Sequence, residues 1–489
     1  MWVNKLFAVL FSMVIFLCSC AKHDEVLQET FLTYWSSSSQ QQDMPLTKEL
    51  ARQTGIHIDF IHPGGGSLQE QLDRLYFANN LPDIIETSSS IEGGIFNLID
   101  RGYVLRLNEL IEQCSLNFMQ YLEENPVLRK KIDFGGNYYV YPFVRSTKSL
   151  KVYSGPCVRT DWLEEMGLPL PETLDEWYIT LTAFRDQFGC EIPFLHKQSN
   201  APFMYAYGII NGFYLKNGQI YYGYTQPEYK EYLRMMRQWY QDGLFGVDYP
   251  NAEYGSMDRM IIDGVCGAGV GSAGKSLGNI LKSGIPVEGT KYPVLNKGDR
   301  SFCSNFDASV LRQGAAAISV NCRDPKAAAQ FLDFGYSREG VLLYNFGVEG
   351  ESYYLSDGRP KYTDLILNSE DISATMDRYL RANNSGPFIQ MQEYMEQYCA
   401  TEVQKRSWRR WQETDADVHI IEDLYLTQAQ RTELDEMQFE AYAKEMELRF
   451  IMGLSDLEYF DQYVEHMNEL GVKRALEIYD AAMDKFNRE

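Results

Sequence analysis

Phe31-Leu32-Thr33-Tyr34-Trp35, Ile56-His57-Ile58-Asp59-Phe60 and Leu81-Pro82-Asp83-Ile84-Ile85-Glu86 decide the fold class, because helical and turn signals separate these three strand-like runs. In the second run Ile56, Ile58 and Phe60 alternate, as a strand with one buried face requires. Gly64 to Gly66 turn the chain, and Ser67 with Glu70 forms a capping box opening a helix through Leu68, Leu72 and Leu75. The order β-α-β-α continues through Ile95 to Arg101, Tyr103 to Leu107, and a Gly135-Gly136 hairpin turn into Tyr138 to Phe143, which describes an open α/β lobe. Such sheets bind ligands outside the carboxyl ends of their strands, so Tyr34 and Trp35, followed by Ser36 to Ser39, stand where a ligand is expected.

Further along, Thr173 with Glu176 and Thr225 with Glu228 read as capping boxes of two amphipathic helices, the second stopped by Gly243. From Gln428 onward the pattern is almost wholly helical. There Ser455 and Glu458 cap a helix whose stripe is Phe460, Tyr463, Val464, Met467 and Leu470, ended by Gly471. Without internal repeats or a low-complexity linker, the lobes are expected to interleave.

The amino terminus sets the compartment. Lys5 precedes an apolar run from Leu6 to Leu17, too short to cross a bilayer and of the right length for a signal-peptide core. It ends in Leu17-Cys18-Ser19-Cys20, which resembles a bacterial lipobox, so residues 1–19 read as a signal peptide, Cys20 as the lipidated (palmitate-type) residue and 20–28 as a tether. Two or more acyl chains would hold the protein on the outer face of the cell membrane. The 489 residues carry a net charge of −23, which disfavours nucleic acid, and 45 % apolar content is globular rather than disordered or polytopic. Cys114, Cys157, Cys190, Cys266, Cys303, Cys322 and Cys399 are scattered, with no CxxC spacing to suggest zinc or a disulfide scaffold.

Two motifs suggest chemistry without a context to support it. Gly269-Val270-Gly271-Ser272-Ala273-Gly274-Lys275-Ser276 fits the phosphate-binding loop, but an exported chain meets little nucleotide. Gly274 to Gly278 fits a GxSxG elbow around Ser276, whose later histidines, His419 and His466, both lie in polar helical pattern. The bland reading of both is a glycine-rich strand-to-helix turn. The six histidines form no metal spacing and no calcium loop is present, so neither metal nor cofactor is expected, and no catalytic residue is nominated. Aromatic residues make up 14 % of the chain; most must be core, while those at strand ends suit sugar faces.

Leu81 to Ile85, Arg159-Thr160-Asp161-Trp162-Leu163, Gly167-Leu168-Pro169, Pro171 to Trp177, Tyr224 to Lys230, Tyr240 to Leu244, Gly314 to Ser319, Asp324 to Ala328, Gly347 to Glu351 and Phe450 to Gly453 follow one another along the chain. Together these stretches resemble the extracellular solute-binding proteins of family 1, in the lipoprotein branch serving ATP-driven (ABC) carbohydrate importers. The resemblance implies a two-lobed periplasmic-binding-protein-like α/β fold of type II, with a hinge and a helical C-terminal region. Lobe 1 would comprise 29–147 plus 305–370 and lobe 2 would comprise 148–304 plus 371–489, with crossings near Phe143 to Val152 and Ser301 to Val310. It further implies a monomeric, non-enzymatic receptor that closes on a sugar, oligosaccharide or other small solute and meets permease subunits. By position, ligand contacts are expected from Trp35, Asp83, Glu86, Phe143, Arg145, Ser272 and Asp307, with Trp35→Ala costing about 1–3 kcal/mol of binding. The calcium-binding members' acidic loop has no counterpart in this sequence. A surface lipoprotein glycoside hydrolase is the alternative, and it would require two carboxyl groups at a fixed separation.

Overall fold

A computed structural model describes residues 30–36, 42–88, 91, 93–197, 202–246, 256–307, 309–311, 314–421 and 423–488. The signal peptide, Cys20, the tether and Ser37 to Ser39 lie outside the described residues. Among the described residues, fourteen strands follow in chain order. They are β1 Thr30–Trp35, β2 Ile56–Ile61, β3 Ile84–Glu86, β4 Val144–Arg145, β5 Ser154–Arg159, β6 Ile192–Leu195, β7 Phe213–Lys216, β8 Gln219–Tyr222, β9 Cys266–Ser272, β10 Val287–Gly289, β11 Ala316–Ile318, β12 Tyr353–Ser356, β13 Arg359–Tyr362 and β14 Ile389–Gln390.

Two four-stranded sheets organise these elements. The first runs β2-β1-β3-β11, with β1 parallel to β2 and β3, and β11 antiparallel on β3. Between β3 and β11 the chain leaves to build the second sheet, β10-β5-β9-β6, and then returns. This is the type II arrangement of two interleaved lobes: a parallel start, an excursion and an antiparallel returning strand. Each sheet has its own apolar core. Leu32, Ile58, Ile84, Ile85, Leu98 and Phe331 belong to the first, and Val158, Trp177, Phe184, Phe194, Cys266 and Leu277 to the second. The aromatic richness is chiefly core, since Trp177, Trp411, Tyr141, Tyr214, Tyr222, Tyr229, Tyr232 and Tyr292 are among the largest fully buried side chains.

Local signals held where they were strong. Thr173 and Glu176 make the reciprocal capping box of the helix Leu174–Phe188. Ser67 accepts from Glu70 N at the start of Leu68–Phe77, while Gln71, rather than Glu70, reaches back to Gly64. Other readings need correction. The helix expected after Thr225 begins at Pro227 with Gln226 as its cap, because proline is pre-shaped for the first helical position and lacks an N–H to satisfy; Thr225 bonds Tyr222 O instead. Ser455 yields to Asp456, whose carboxylate accepts from Glu458 N. Tyr138 to Phe143 forms no hairpin; Tyr141 only bridges Ala316, and the helices Asn108–Cys114, Leu116–Glu124 and Pro126–Lys131 fill the span before it.

Phe346, Tyr353, Tyr362 and Ile366 belong to the second core, where the β12–β13 hairpin is fastened by Tyr362 Oη donating to Asn345 O at 2.7 Å. The C-terminal helices Phe439–Ile451 and Phe460–Glu469 add Phe439, Phe450, Phe460 and Tyr463 to the same core. Among the described residues, no helix is long and apolar enough to cross a membrane.

Candidate functional site

The two-stranded parallel pair β4–β14 joins residues more than two hundred positions apart, with Val144 opposite Ile389 and Arg145 opposite Gln390. Val144 N donates to Phe388 O at 3.0 Å and Ser146 Oγ to Gln390 O at 2.7 Å. On this pair stands a cavity of about 290 Å³. Arg145 and Gln390 come from the pair itself, Ser272, Gly274 and Lys275 from the carboxyl end of β9, and Asp377, Asn383, Tyr394 and Tyr398 from the segment around β14.

The wall containing Asn383 is fixed to the first sheet. Arg381 Nη2 donates to Glu86 Oε1 at 3.1 Å, and both side chains are about 5 % exposed or less. Glu86 ends β3 and also accepts from Tyr34 Oη at 3.0 Å. Burial pushes the Tyr34 phenol well above its ordinary range, with the Glu86 charge adding to the effect, so it remains a donor. Gly314, at φ +78°, lets the same loop approach, because a Cβ there would lie 2.5 Å from Gly386 N. The cavity therefore has one wall from the second sheet and one tied to the end of β3 in the first.

Of the residues expected to contact ligand, Arg145 and Ser272 line the cavity. Asp307 reaches it through Arg145, accepting from Nη2 at 2.8 Å, while the guanidinium lies 4.9 Å from the Phe143 ring centre. Phe143 itself is buried, packed edge-on against Phe388. Trp35 is buried in the first core, and Glu86 is occupied by Arg381, Tyr34 and Ser36. Asp83 accepts from Thr33 N at 2.8 Å, Thr33 Oγ1 at 2.8 Å, Arg323 N at 2.9 Å and Arg323 Nη2 at 2.6 Å, so both of its oxygens are committed within the first lobe.

The glycine-rich motif has a packing explanation. A Cβ at Gly271 would lie 2.3 Å from Met257 Cε, and one at Gly274 would lie 2.3 Å from the Tyr398 ring. The glycines admit neighbouring side chains. Ser276 sits inside the helix Lys275–Lys282, its hydroxyl 3.2 Å from Ser272 Oγ. His419 bonds Leu215 O and His466 bonds Glu469, so neither forms a triad with Ser276.

The residues that sequence reasoning missed are Asp377, Asn383, Gln390, Tyr394 and Tyr398. The one available signal was the turn-rich run Asn383-Asn384-Ser385-Gly386-Pro387, which marks a loop without saying what it lines. Asp377 Oδ1 accepts from Asn383 Nδ2 at 2.7 Å and from Asn384 Nδ2 at 2.8 Å. Burial pushes the Tyr394 phenol up and raises that of Tyr398 to about 12, so both are neutral hydroxyls at physiological pH. Asp377 is the single carboxylate among the lining residues, whereas glycoside hydrolysis uses a pair. The arrangement can grip a polar solute with amides, hydroxyls and aromatic faces.

The profile of the family described as bacterial extracellular solute-binding protein matches residues 36–341, more than half of the chain. Lipoprotein LipO of Bacillus subtilis is 22 % identical over 359 residues, 69 % of each chain. The fructooligosaccharide ABC transporter substrate-binding protein FusA of Streptococcus pneumoniae is 26 % identical over 220 residues, 41 % of each. Among solved structures, the alginate-binding protein AlgQ2 superposes with a TM-score of 0.77 at 20 % identity, covering 93 % of this chain and 98 % of its own. FusA in complex with kestose gives 0.75 at 18 % identity, covering 94 % and 100 %. The chain belongs to the bacterial extracellular solute-binding protein family, has its two-lobed type II fold, and is a binding protein rather than an enzyme.

Proposed function

We propose that this solute-binding protein captures a sugar or oligosaccharide by closing its two lobes over the β4–β14 pair, and delivers it to an ABC importer. The cavity carries the reading: its walls come from β9 and from a loop ion-paired to the end of β3, so approach of the two sheets would tighten it around a solute. Arg145, Ser272, Asp377, Asn383, Gln390, Tyr394 and Tyr398 are the proposed contacts, with Asp307 orienting Arg145. The relatives support a sugar, since FusA is named for fructooligosaccharides and AlgQ2 for alginate.

Anchoring belongs to the same proposal. Acylation of Cys20 would hold the receptor at the extracellular face of the cell membrane, a reading supported by the lipobox-like Leu17-Cys18-Ser19-Cys20 and by the relative LipO, named a lipoprotein. The receptor would act as a monomer. Thermal unfolding of the full chain in detergent, screened against oligosaccharides, tests the function: a ligand at 100 times its Kd adds about 2.7 kcal/mol and raises the midpoint. The expected result is a selective rise with the glycan recovered intact. No rise with any glycan would turn the reading toward another solute.

A further inference from the structure

Two side-chain amides write the chemistry of the solute into the cavity. Gln390, 4 % exposed, donates Nε2 to Ala382 O at 2.5 Å. Its Oε1 is buried without a hydrogen-bond partner. Asn383 repeats the arrangement: its Nδ2 is held by Asp377 Oδ1 at 2.7 Å, and its Oδ1 is buried without a partner. In both cases the engaged nitrogen fixes which way the amide points, so the remaining atom is an acceptor. A buried carbonyl oxygen without a donor is costly, and both residues line the same cavity, beside the acceptor-only carboxylate of Asp377.

The fixed charges balance. Arg145 is already engaged by Asp307 at 2.8 Å, while Lys275 stands exposed at the first turn of its helix. Against these two cations stand Asp307 and Asp377, so the fixed charges of these four groups sum to zero.

We propose that the cavity selects a neutral, hydroxyl-rich sugar unit over a uronic acid; this rests on the sugar-binding reading above. Sugar hydroxyls donate to Gln390 Oε1 and Asn383 Oδ1, and a ring face lies on the aromatic wall of Tyr394 and Tyr398. A uronate carboxylate has no proton to offer these oxygens and is repelled by Asp377. About 290 Å³ suits the end of a chain, whose further units extend into the cleft.

The test offers the full chain, in detergent, equal masses of two oligosaccharide pools, one of neutral hexoses and one containing uronic acids; retained glycans are identified by mass spectrometry. At least tenfold enrichment of neutral glycans is expected. Equal or greater retention of uronates overturns the selectivity while leaving the sugar reading in place, and retention of neither pool overturns both. The enriched glycan is then titrated against Gln390→Met, which keeps the side chain's length and removes its acceptor. A loss of at least tenfold in affinity at a retained melting temperature is expected, and unchanged affinity removes Gln390 from the contact set. Asn383→Ala, at a less buried position, gives the same reading if Gln390→Met does not fold.

Discussion

Burial alone would raise the Asp83 carboxyl, but hydrogen bonds from Arg323 and Thr33 outweigh it and bring the pKa down to about 2. A carboxylate depressed in the folded state stabilises above its unfolded value, near 3.8, and loses that contribution as pH falls through the folded value. The residue is 1 % exposed, so roughly 2 kcal/mol is at stake. Urea unfolding of the wild type and Asp83→Asn should therefore show a stability gap that is full at pH 5 and has shrunk markedly by pH 2. Trp35 makes the same point through packing. At 2 % exposure in the first core, Trp35→Ala should cost about 3–5 kcal/mol of stability, read as a fall in denaturation midpoint. Residue type and strand-end position suggested ligand roles for both, because a sequence shows what a side chain offers but not which neighbour has already taken it. Gln390 and Asn383 are the reverse case: the turn-rich run from Asn383 to Pro387 marks a loop but not what it lines, nothing beside Gln390 marks it, and their unpartnered oxygens arise from the amide nitrogens being held by Ala382 and Asp377.

Elements were legible where the signal is local. Thr173 and Glu176 lie three residues apart and satisfy each other's backbone donors, so the box follows from spacing alone. Thr225 and Ser455 carried the same spacing and lost the cap to a neighbour, Pro227 moving one start and the Asp456 carboxylate taking the other. The difference is measurable: Thr173→Ala should cost about 1 kcal/mol, Asp456→Ala a comparable amount, and Ser455→Ala a few tenths, by chemical denaturation. The β9-to-helix turn shows what spacing cannot report. Its glycines matched a phosphate loop, yet their role lies in Met257 and Tyr398, distant side chains that occupy the space of a Cβ. Gly274→Ala must displace the Tyr398 ring, which lines the cavity, so ligand affinity should fall at least tenfold by calorimetric titration as the melting temperature drops.

At the scale of the whole molecule, the order β-α-β made one open α/β lobe legible and the family resemblance implied the second, but the path by which they meet was not legible. The β4–β14 pair joins chain segments over two hundred residues apart through two residues on each side, too short a run to show any periodicity. The buried Glu86–Arg381 pair carries a similar long-range instruction, since it ties the cavity loop that includes Asn383 to the first sheet. Glu86→Gln would strand the Arg381 charge at 4 % exposure and should cost about 3–5 kcal/mol of stability. Replacing both partners, as Glu86→Gln with Arg381→Met, removes the stranded charge and should recover most of that loss. Affinity should separate the two roles of the pair. If it only stabilises the fold, the double variant binds like the wild type; if it positions the loop, the double variant melts near the wild-type temperature yet binds at least tenfold more weakly. The second outcome is expected, because Arg381 lies two residues from Asn383 and its ion pair with Glu86 is among the contacts that fix this cavity wall to the first sheet.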